Sequence, residues 1–364
     1  MPTKILIAPL DWGLGHATRC VVIIHTLQKL NCNVSIAASG KIKNLLQTEF
    51  PNINFLKLPG YKIAYSKFKR FLPFKILIQI PKILKIIDFE NKWLNAILKA
   101  HNFNAIISDN RFGFYSKSVF SVFMTHQLQI KTNFAWLDKK LRRLNYNYIN
   151  NFNECWVPDF EDNFNIAGEL SHPSTLPEIP VKYLGPLSRF KKSVNQKIKF
   201  TWMAIISGPE PQRSLFEKKI FEVAAKSNDT FLIIRGLPGQ KENDFNFPNC
   251  TIFNHLNTAD MQAAIESSEF IISRCGYTTV MEILSLKKKS VLIPTPGQTE
   301  QEYLAKHLSK QNWCYTFKQT EDFITHLSNA KSYTYSLPEI NMQQHEEIIK
   351  GFITSISVKI YLHN

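Results

Sequence analysis

Residues 4–24 read KILIAPLDWGLGHATRCVVII. The first six form a compact apolar run of strand length. Cys20, Ile23, Ile24, Leu27 and Leu30 then recur at helical spacing. Between the two lies a glycine-rich turn. Strand, glycine loop and helix form the opening unit of a doubly wound sheet, where ligands bind at the carboxyl ends of strands. The rest of the chain repeats this unit. Runs 33–38, 53–58, 104–108 and 119–124 predict further strands. A second series follows at 200–207, 230–235, 250–253, 269–273 and 290–294, with Phe216, Ile220 and Val223 marking a helix between its first two members. Such alternation predicts an α/β protein of two doubly wound, Rossmann-like domains. The expected divisions are 1–188, 189–338 and a last segment, 339–364. The join is placed at the Gly-Pro turn of VKYLGPLSRF and the polar KKSVNQK after it. The last segment predicts a helix over about 339–357, with Ile348, Ile349, Phe352 and Ile356 on one face.

At 364 residues the length suits two domains. Apolar residues at 44% and charged ones at 20% exclude a largely disordered, collagen-like or coiled-coil chain. No 18-residue apolar run exists, so no transmembrane helix is expected, and Asp11 interrupts any leader-like start. The six cysteines are scattered with no CxxC pair, which argues against a zinc or disulfide framework and for a cytoplasmic chain.

The formal charge of +15 calls for an anionic partner or reflects compositional drift. Ten basic residues fall within 57–99 against only Asp88 and Glu90, more than half of the total charge. They alternate with large apolar side chains, a pattern suited to an anionic membrane surface; the alternative is a helix with a solvated lysine face. Lys139, Lys140, Arg142 and Arg143 form a second cluster. No nucleic-acid module is recognisable, so nucleic acid is not an expected partner.

Polar groups gather at the predicted strand ends. In the first loop, Gly13 and Gly15 permit close backbone approach, and His16 and Arg19 follow. The loop is neither GxGxxG with a trailing acid nor a P-loop. His16 is either a general base or a cap on the turn. Two more ends carry Asp109, Asn110 and Arg111, and His126 and Gln127. Asp109 and His126 join His16 as catalytic candidates, and the others form the acceptor side; ordinary loop capping is the alternative. In the second half, Gly208 and Arg213 mirror the first loop, Arg213 suits a phosphate, and Arg235 and His255 follow later strands; all four are donor-binding candidates. The segment Arg274, Gly276, Tyr277, Thr278, Thr279 and Glu282 opens a helix whose first N–H groups suit a diphosphate, while Glu282 suits ribose hydroxyls. Gln298, Glu300 and Gln301 suit a sugar. Surface charge and helix capping are the bland readings of these groups.

On these motifs the chain resembles a GT-B-fold glycosyltransferase, best matched to glycosyltransferase family 28. The resemblance rests on SRCGYTTVMEI (273–283) and PTPGQTEQEYLA (294–305). It implies two domains facing across a cleft and donor-binding roles for Arg274, Gly276, Thr279, Glu282 and Gln301, and less directly Gln298 and Glu302. It also implies that GLGHATR is similar to the family's first loop, with His16 as base, and that the last helix returns to the first domain. The first loop departs from the longer Gly-Gly-Thr-Gly-Gly-His form and is closer to Gly-x-Gly-His-x-x-Arg. The expected function is inverting transfer of a hexose, N-acetylglucosamine among the candidates, from a UDP-sugar to an acceptor hydroxyl, including a lipid-linked one. No cofactor is expected, and no metal, since no DxD sequence occurs. The expected location is the cytoplasm, including the inner membrane face. A UDP-sugar 2-epimerase and a non-catalytic nucleotide-sugar-binding protein are the alternatives.

Overall fold

In the computed structural model the described residues are 2–11, 13–60, 72–132, 134–162, 164–191, 197–241 and 247–363. Side chains of 72–80 and 359–363 are outside the description. Two compact units emerge. The first comprises the described parts of Met1–Ala64, Pro73–Leu187 and Asn341–Asn364, and the second holds Leu72 and the described parts of Ser188–Ile340.

The first unit contains β1 (Lys4–Pro9), α1 (Leu14–Lys29), β2 (Asn33–Ala37), α2 (Gly40–Glu49), β3 (Asn54–Leu56) and α3 (Leu72–Ala100). Then come β4 (Ala105–Asp109), β5 (Phe120–Met124), α4 (Ala135–Ile149), β6 (Glu154–Val157) and β7 (Val181–Tyr183). The sheet order is β3-β2-β1-β4-β5-β6-β7, with every neighbouring pair parallel. Ile5, Leu6, Ile7 and Ala8 of β1 are fully buried, as a central strand covered on both faces requires.

The second unit contains β8 (Phe200–Ile205), α5 (Gln212–Ala224), β9 (Phe231–Ile234), β10 (Cys250–Phe253), α6 (Thr258–Glu266) and β11 (Ser268–Ser273). It continues with α7 (Tyr277–Ser285), β12 (Lys289–Leu292), α8 (Thr299–Lys310), β13 (Tyr315–Thr316) and α9 (Phe323–Ser332). Its parallel sheet runs β10-β9-β8-β11-β12-β13. Its core sets Phe216, Ile220 and Val223 of α5 among Trp202, Phe231 and Phe270 of the strands. The final helix, α10 (Gln344–His363), belongs to the first unit, where the Phe352 ring meets Trp156 at 5.0 Å and Phe120 at 5.8 Å. It begins at Gln344 rather than near 339. At that start Gln344 donates to the Tyr183 carbonyl at 3.1 Å and lies against Gly185, where a Cβ would come within 3.0 Å of its side chain.

In each sheet the strand order reverses once, between β1 and β4 and between β8 and β11. Loops diverge there, and the resulting crevice at the strands' carboxyl ends is where such sheets bind ligands. Four of the sequence motifs flank these two points.

Of the basic segment 57–99, residues 61–71 lie outside the described residues, as do the side chains of 72–80. That removes four of the ten basic residues and the Lys75 side chain. The rest of α3 buries Ile87, Glu90 and Leu94 at helical spacing and exposes Lys82, Lys85, Lys92 and Lys99.

Candidate functional site

In the first unit the strand reversal brings the α1 start against the end of β4. His16 Nδ1 lies 3.1 Å from Asp109 Oδ2. Arg19, one turn further along α1, donates from Nε to the same oxygen at 3.0 Å and from NH2 to Oδ1. Its NH1 reaches His126 Nδ1 at 3.1 Å and its NH2 reaches His16 Nδ1 at 2.9 Å. The Cys20 thiol approaches Asp109 Oδ2 at 3.6 Å. The three catalytic candidates thus form one cluster around a buried carboxylate. Burial favours a neutral Asp109, but Arg19 and His16 outweigh it and hold the carboxyl well below the usual range. Burial lowers the pKa of His16, with Asp109 opposing and Arg19 adding to the fall, so the imidazole is neutral near pH 7. The His16 side chain keeps 18% of its surface exposed, whereas Asp109 and Arg19 are buried. No protein group among the described residues bonds His16 Nε2.

The acceptor-side residues divide. Arg111 is buried rather than lining an open rim: Nε donates to the Pro9 carbonyl at 2.8 Å, and NH1 meets the buried Glu90 carboxylate at 2.5 Å. It locks α3 to the ends of β1 and β4. Asn110 takes a left-handed φ of 56°, which asparagine tolerates better than most residues. Gln127 is half-buried, and its backbone carbonyl accepts from Asn145 of α4 at 3.1 Å. Gly13 is extended, at φ 164°, so no tight turn demands glycine there, and a Cβ would meet no atom within 4 Å. The Gly15 carbonyl accepts from the Thr18 hydroxyl at 3.0 Å.

In the second unit, the three donor-side arginine candidates, Arg213, Arg235 and Arg274, are turned inward. Arg213 bonds Glu210 at 2.6 Å, Glu217 at 3.1 and 3.3 Å, Ser214 at 2.8 Å and the Arg235 carbonyl at 3.0 Å, which uses all five N–H groups. Arg235 meets Glu217 at 2.7 Å and Asn254 at 2.9 Å. Glu217 therefore holds two guanidinium groups. Burial pushes its pKa up, but the bonds from Arg235 and Arg213 outweigh that and lower it. Arg274 donates to the Gln212 carbonyl at 3.0 Å and to Gln319 Oε1 at 2.5 Å, and lies 4.1 Å over the Phe216 ring. Among the described residues it has no carboxylate partner, and burial lowers its pKa to about 9. Its Nε, Gln212 Oε1 and Thr295 Oγ1 are buried with no hydrogen-bond partner among the described residues. Arg274 thus braces the loops after β8, β12 and β13 from beneath.

Above it, α7 starts at Gly276 with no side-chain cap and no acid in its first turn; α6, by contrast, is capped by Asn257. Gly276 has an ordinary φ of −82°, and a Cβ there would meet nothing within 4 Å, so the fold itself does not require glycine. Gly208 does require it, at φ +113°. Tyr277 is buried, and Thr278 and Thr279 are half-buried in the first turn. Glu282 is buried, and one oxygen accepts from Arg189 Nε at 2.8 Å. Burial raises its pKa against the opposing charge of Arg189. Gln301 Oε1 accepts from the Thr295 N–H at 2.8 Å, which fixes the amide and leaves Nε2 as an available donor. Glu302 likewise caps Gly297 at 3.1 Å. Gln298 is the N-cap residue of α8, with Glu300 in that helix's first turn, and His255 is exposed after β10.

Sequence reasoning missed Glu90, Glu217 and Arg189. Glu217 had a readable signal, four residues after Arg213 on one helix face. Glu90 was a lone acid in a basic helix. Arg189 had none.

Residues 210–352 match the glycosyltransferase family 28 C-terminal domain. A 65-residue stretch is 34% identical to a UDP-N-acetylglucosamine–N-acetylmuramyl-(pentapeptide) pyrophosphoryl-undecaprenol N-acetylglucosamine transferase of Caldicellulosiruptor saccharolyticus. That stretch is 17% of this chain and spans only 18% of the relative's length. Two solved structures share the fold over nearly the whole chain. One is the glycotransferase of kitacinnamycin, with TM-score 0.65 and 13% identity, covering 98% of this chain and 95% of the other. The other is MurG of Acinetobacter baumannii, with TM-score 0.51 and 13% identity, covering 95% and 93%. With two doubly wound units of this topology and a second unit that matches the family domain, the chain has the GT-B fold and resembles the glycosyltransferases of family 28.

Proposed function

We propose that this protein is an inverting glycosyltransferase that moves a hexose from a UDP-sugar to an acceptor hydroxyl. The observation that carries this reading is the neutral, partly exposed His16 backed by Asp109 at the strand reversal of the first unit. It is supported by the family 28 match of the second unit. The α7 start at Gly276 holds the diphosphate with backbone N–H groups, Glu282 takes the ribose, and the Gln301 amide donates to the sugar. His16 Nε2 removes the proton of the acceptor hydroxyl. The acceptor oxygen bonds to the anomeric carbon from the face opposite the leaving group, the bond from that carbon to the diphosphate oxygen breaks, and UDP departs with the electron pair. Neutralisation of the leaving diphosphate by backbone dipoles leaves no step that calls for a metal.

Transfer from a panel of UDP-sugars, followed by mass spectrometry, tests this. His16→Ala and Glu282→Ala are both expected to lose transfer, and full activity in both would refute the site. UDP-N-acetylglucosamine alone is expected to remain unchanged; a new sugar from that incubation would favour epimerisation.

For the acceptor we propose a lipid-linked sugar, met at the cytoplasmic face of an anionic membrane. The support is α4, on which Trp136, Lys139, Lys140, Arg143 and Leu144 share one exposed face without an acid, Trp136 being 68% exposed. Trp and basic residues on one helix face suit the lipid interface, and each basic residue near anionic lipid contributes about 1 kcal/mol. Asn145 on the opposite face of α4 bonds the carbonyls of Gln127 and Leu128, next to His126. Among the described residues no helix is long and apolar enough to cross a membrane. Binding to phosphatidylglycerol vesicles but not to phosphatidylcholine vesicles is expected, and should be lost in a Lys139→Glu/Lys140→Glu/Arg143→Glu variant. Equal binding to both vesicle types would remove this part of the reading.

A further inference from the structure

Arg19 is 1% exposed and donates toward four nitrogen and oxygen atoms of three side chains, Asp109, His16 and His126. A guanidinium only donates. The 3.1 Å approach of Arg19 NH1 to His126 Nδ1 therefore requires a lone pair on that nitrogen, which places the ring proton of His126 on Nε2. His16 faces a sharper choice. Its Nδ1 lies 2.9 Å from Arg19 NH2 and 3.1 Å from Asp109 Oδ2. One ring nitrogen cannot accept from the first and donate to the second at once. If Nδ1 accepts from Arg19, Nε2 carries the proton and cannot act as a base. If Nδ1 donates to Asp109, Nε2 has the lone pair that base chemistry needs. Asp109 already receives Arg19 on both oxygens and the Cys20 thiol on Oδ2. One hydrogen of Arg19 NH2 is used on Oδ1, and the other lies toward His16.

We propose that Arg19 is a positioning residue that holds His16 and His126 in the Nε2–H tautomer in the free protein. His16 becomes a base only when its Nδ1 passes from Arg19 to Asp109. The exchange conserves charge: Nε2 gives one proton to water, and Nδ1 takes one up. At rest, His16 then presents a hydrogen-bond donor to an arriving hydroxyl and does not activate water. This rests on the reading of His16 as the base, but its test needs no substrate.

The experiment is nitrogen NMR of the full chain labelled with 15N at its histidine rings, at neutral pH and without ligand. His16→Asn and His126→Asn assign the signals. In the wild type both histidines are expected to show the proton on Nε2 and a lone pair on Nδ1. In Arg19→Lys, which keeps a cation beside Asp109 but loses the fork, His16 moves to Nδ1–H and His126 to a mixture. Loss of a charge-assisted hydrogen bond changes the tautomer ratio by about tenfold or more. Should Arg19→Lys not fold, as judged by circular dichroism, the Arg19→Met/Asp109→Asn pair, which removes both buried charges together, is expected to give the same movement of His16. A proton on Nδ1 of either histidine in the wild type overturns the proposal, and so does an unchanged pattern in a folded Arg19 variant. Because no sugar or nucleotide is present, these outcomes are separate from success or failure of transfer.

Discussion

Arg19 and Arg274 stand at matching places, each beside the strand-order reversal of its own sheet, and both are almost wholly buried. Their surroundings are opposite. Arg19 is paired through both oxygens with Asp109. Arg274 has carbonyl oxygens, the Gln319 amide and the Phe216 ring, and among the described residues no carboxylate. The first unit therefore neutralises its cation internally. The second keeps a net positive charge beneath an uncapped helix start, an arrangement complementary to a diphosphate. A guanidinium near a site is thus no evidence of ligand contact by itself; what neutralises it decides its role.

The largest expected effect is on the first unit's chemistry. His16→Ala should lower kcat by roughly 10²–10⁴-fold, the contribution of a positioned base, with little change in UDP affinity. A variant that loses UDP affinity instead would place His16 on the donor side and break the division between the two rims. The next effect is on stability. Asp109→Ala leaves the Arg19 cation buried without its partner and should cost about 3–5 kcal/mol in chemical denaturation. Arg274→Met removes a cation and strands no charge, and should change stability by less than about 1 kcal/mol or raise it. Equal losses in the two variants would erase the contrast.

The same contrast has a pH signature. The pKa of Arg274 falls to about 9 in the folded protein, while an unfolded arginine stays at the ordinary value of 12.5. Between these values the unfolded chain binds more protons, so this group's contribution to stability rises with pH across that window. Wild-type stability measured against Arg274→Met should therefore improve from neutral pH to about pH 10.5. A flat difference would mean that water or a bound anion already compensates the charge.

Much of this was legible in the sequence, at the level that periodicity and length can reach. Strands with four or more buried apolar residues, such as β1 and β9, announce themselves. The three that escaped, β6, β7 and β13, are short, and β6 opens on Glu154. A two- or three-residue strand shows no period and exists only because a neighbour supplies its ladder. Site residues were readable as types at strand ends, and His16, Asp109 and His126 do meet. The direction of a side chain was not readable. Arg111, Arg213 and Arg235 look like anion ligands in one dimension. Each turns inward because an acid distant in sequence, or one helical turn away, waits there: Glu90 for the first, Glu217 for the other two. Arg189 shows the limit most plainly, since nothing local ties it to Glu282, 93 residues away.

The smallest expected effect on the fold belongs to Gly276. Its φ of −82° suits any residue and an added Cβ would meet no protein atom, so Gly276→Ala should cost less than about 1 kcal/mol, the scale of an N-cap change. If a diphosphate lies against this backbone, the same methyl group stands where phosphate oxygens must approach. UDP affinity, measured by calorimetry, should then fall by about tenfold or more, equivalent to about 1.4 kcal/mol. Gly13→Ala is the matching change in the first unit, also at a helix start with open space around its Cα, and should leave UDP affinity unaltered. A loss in both would show that the nucleotide touches both helix starts. A loss in neither would move the diphosphate away from α7 and leave the unpaired charge of Arg274 to be explained by the fold alone.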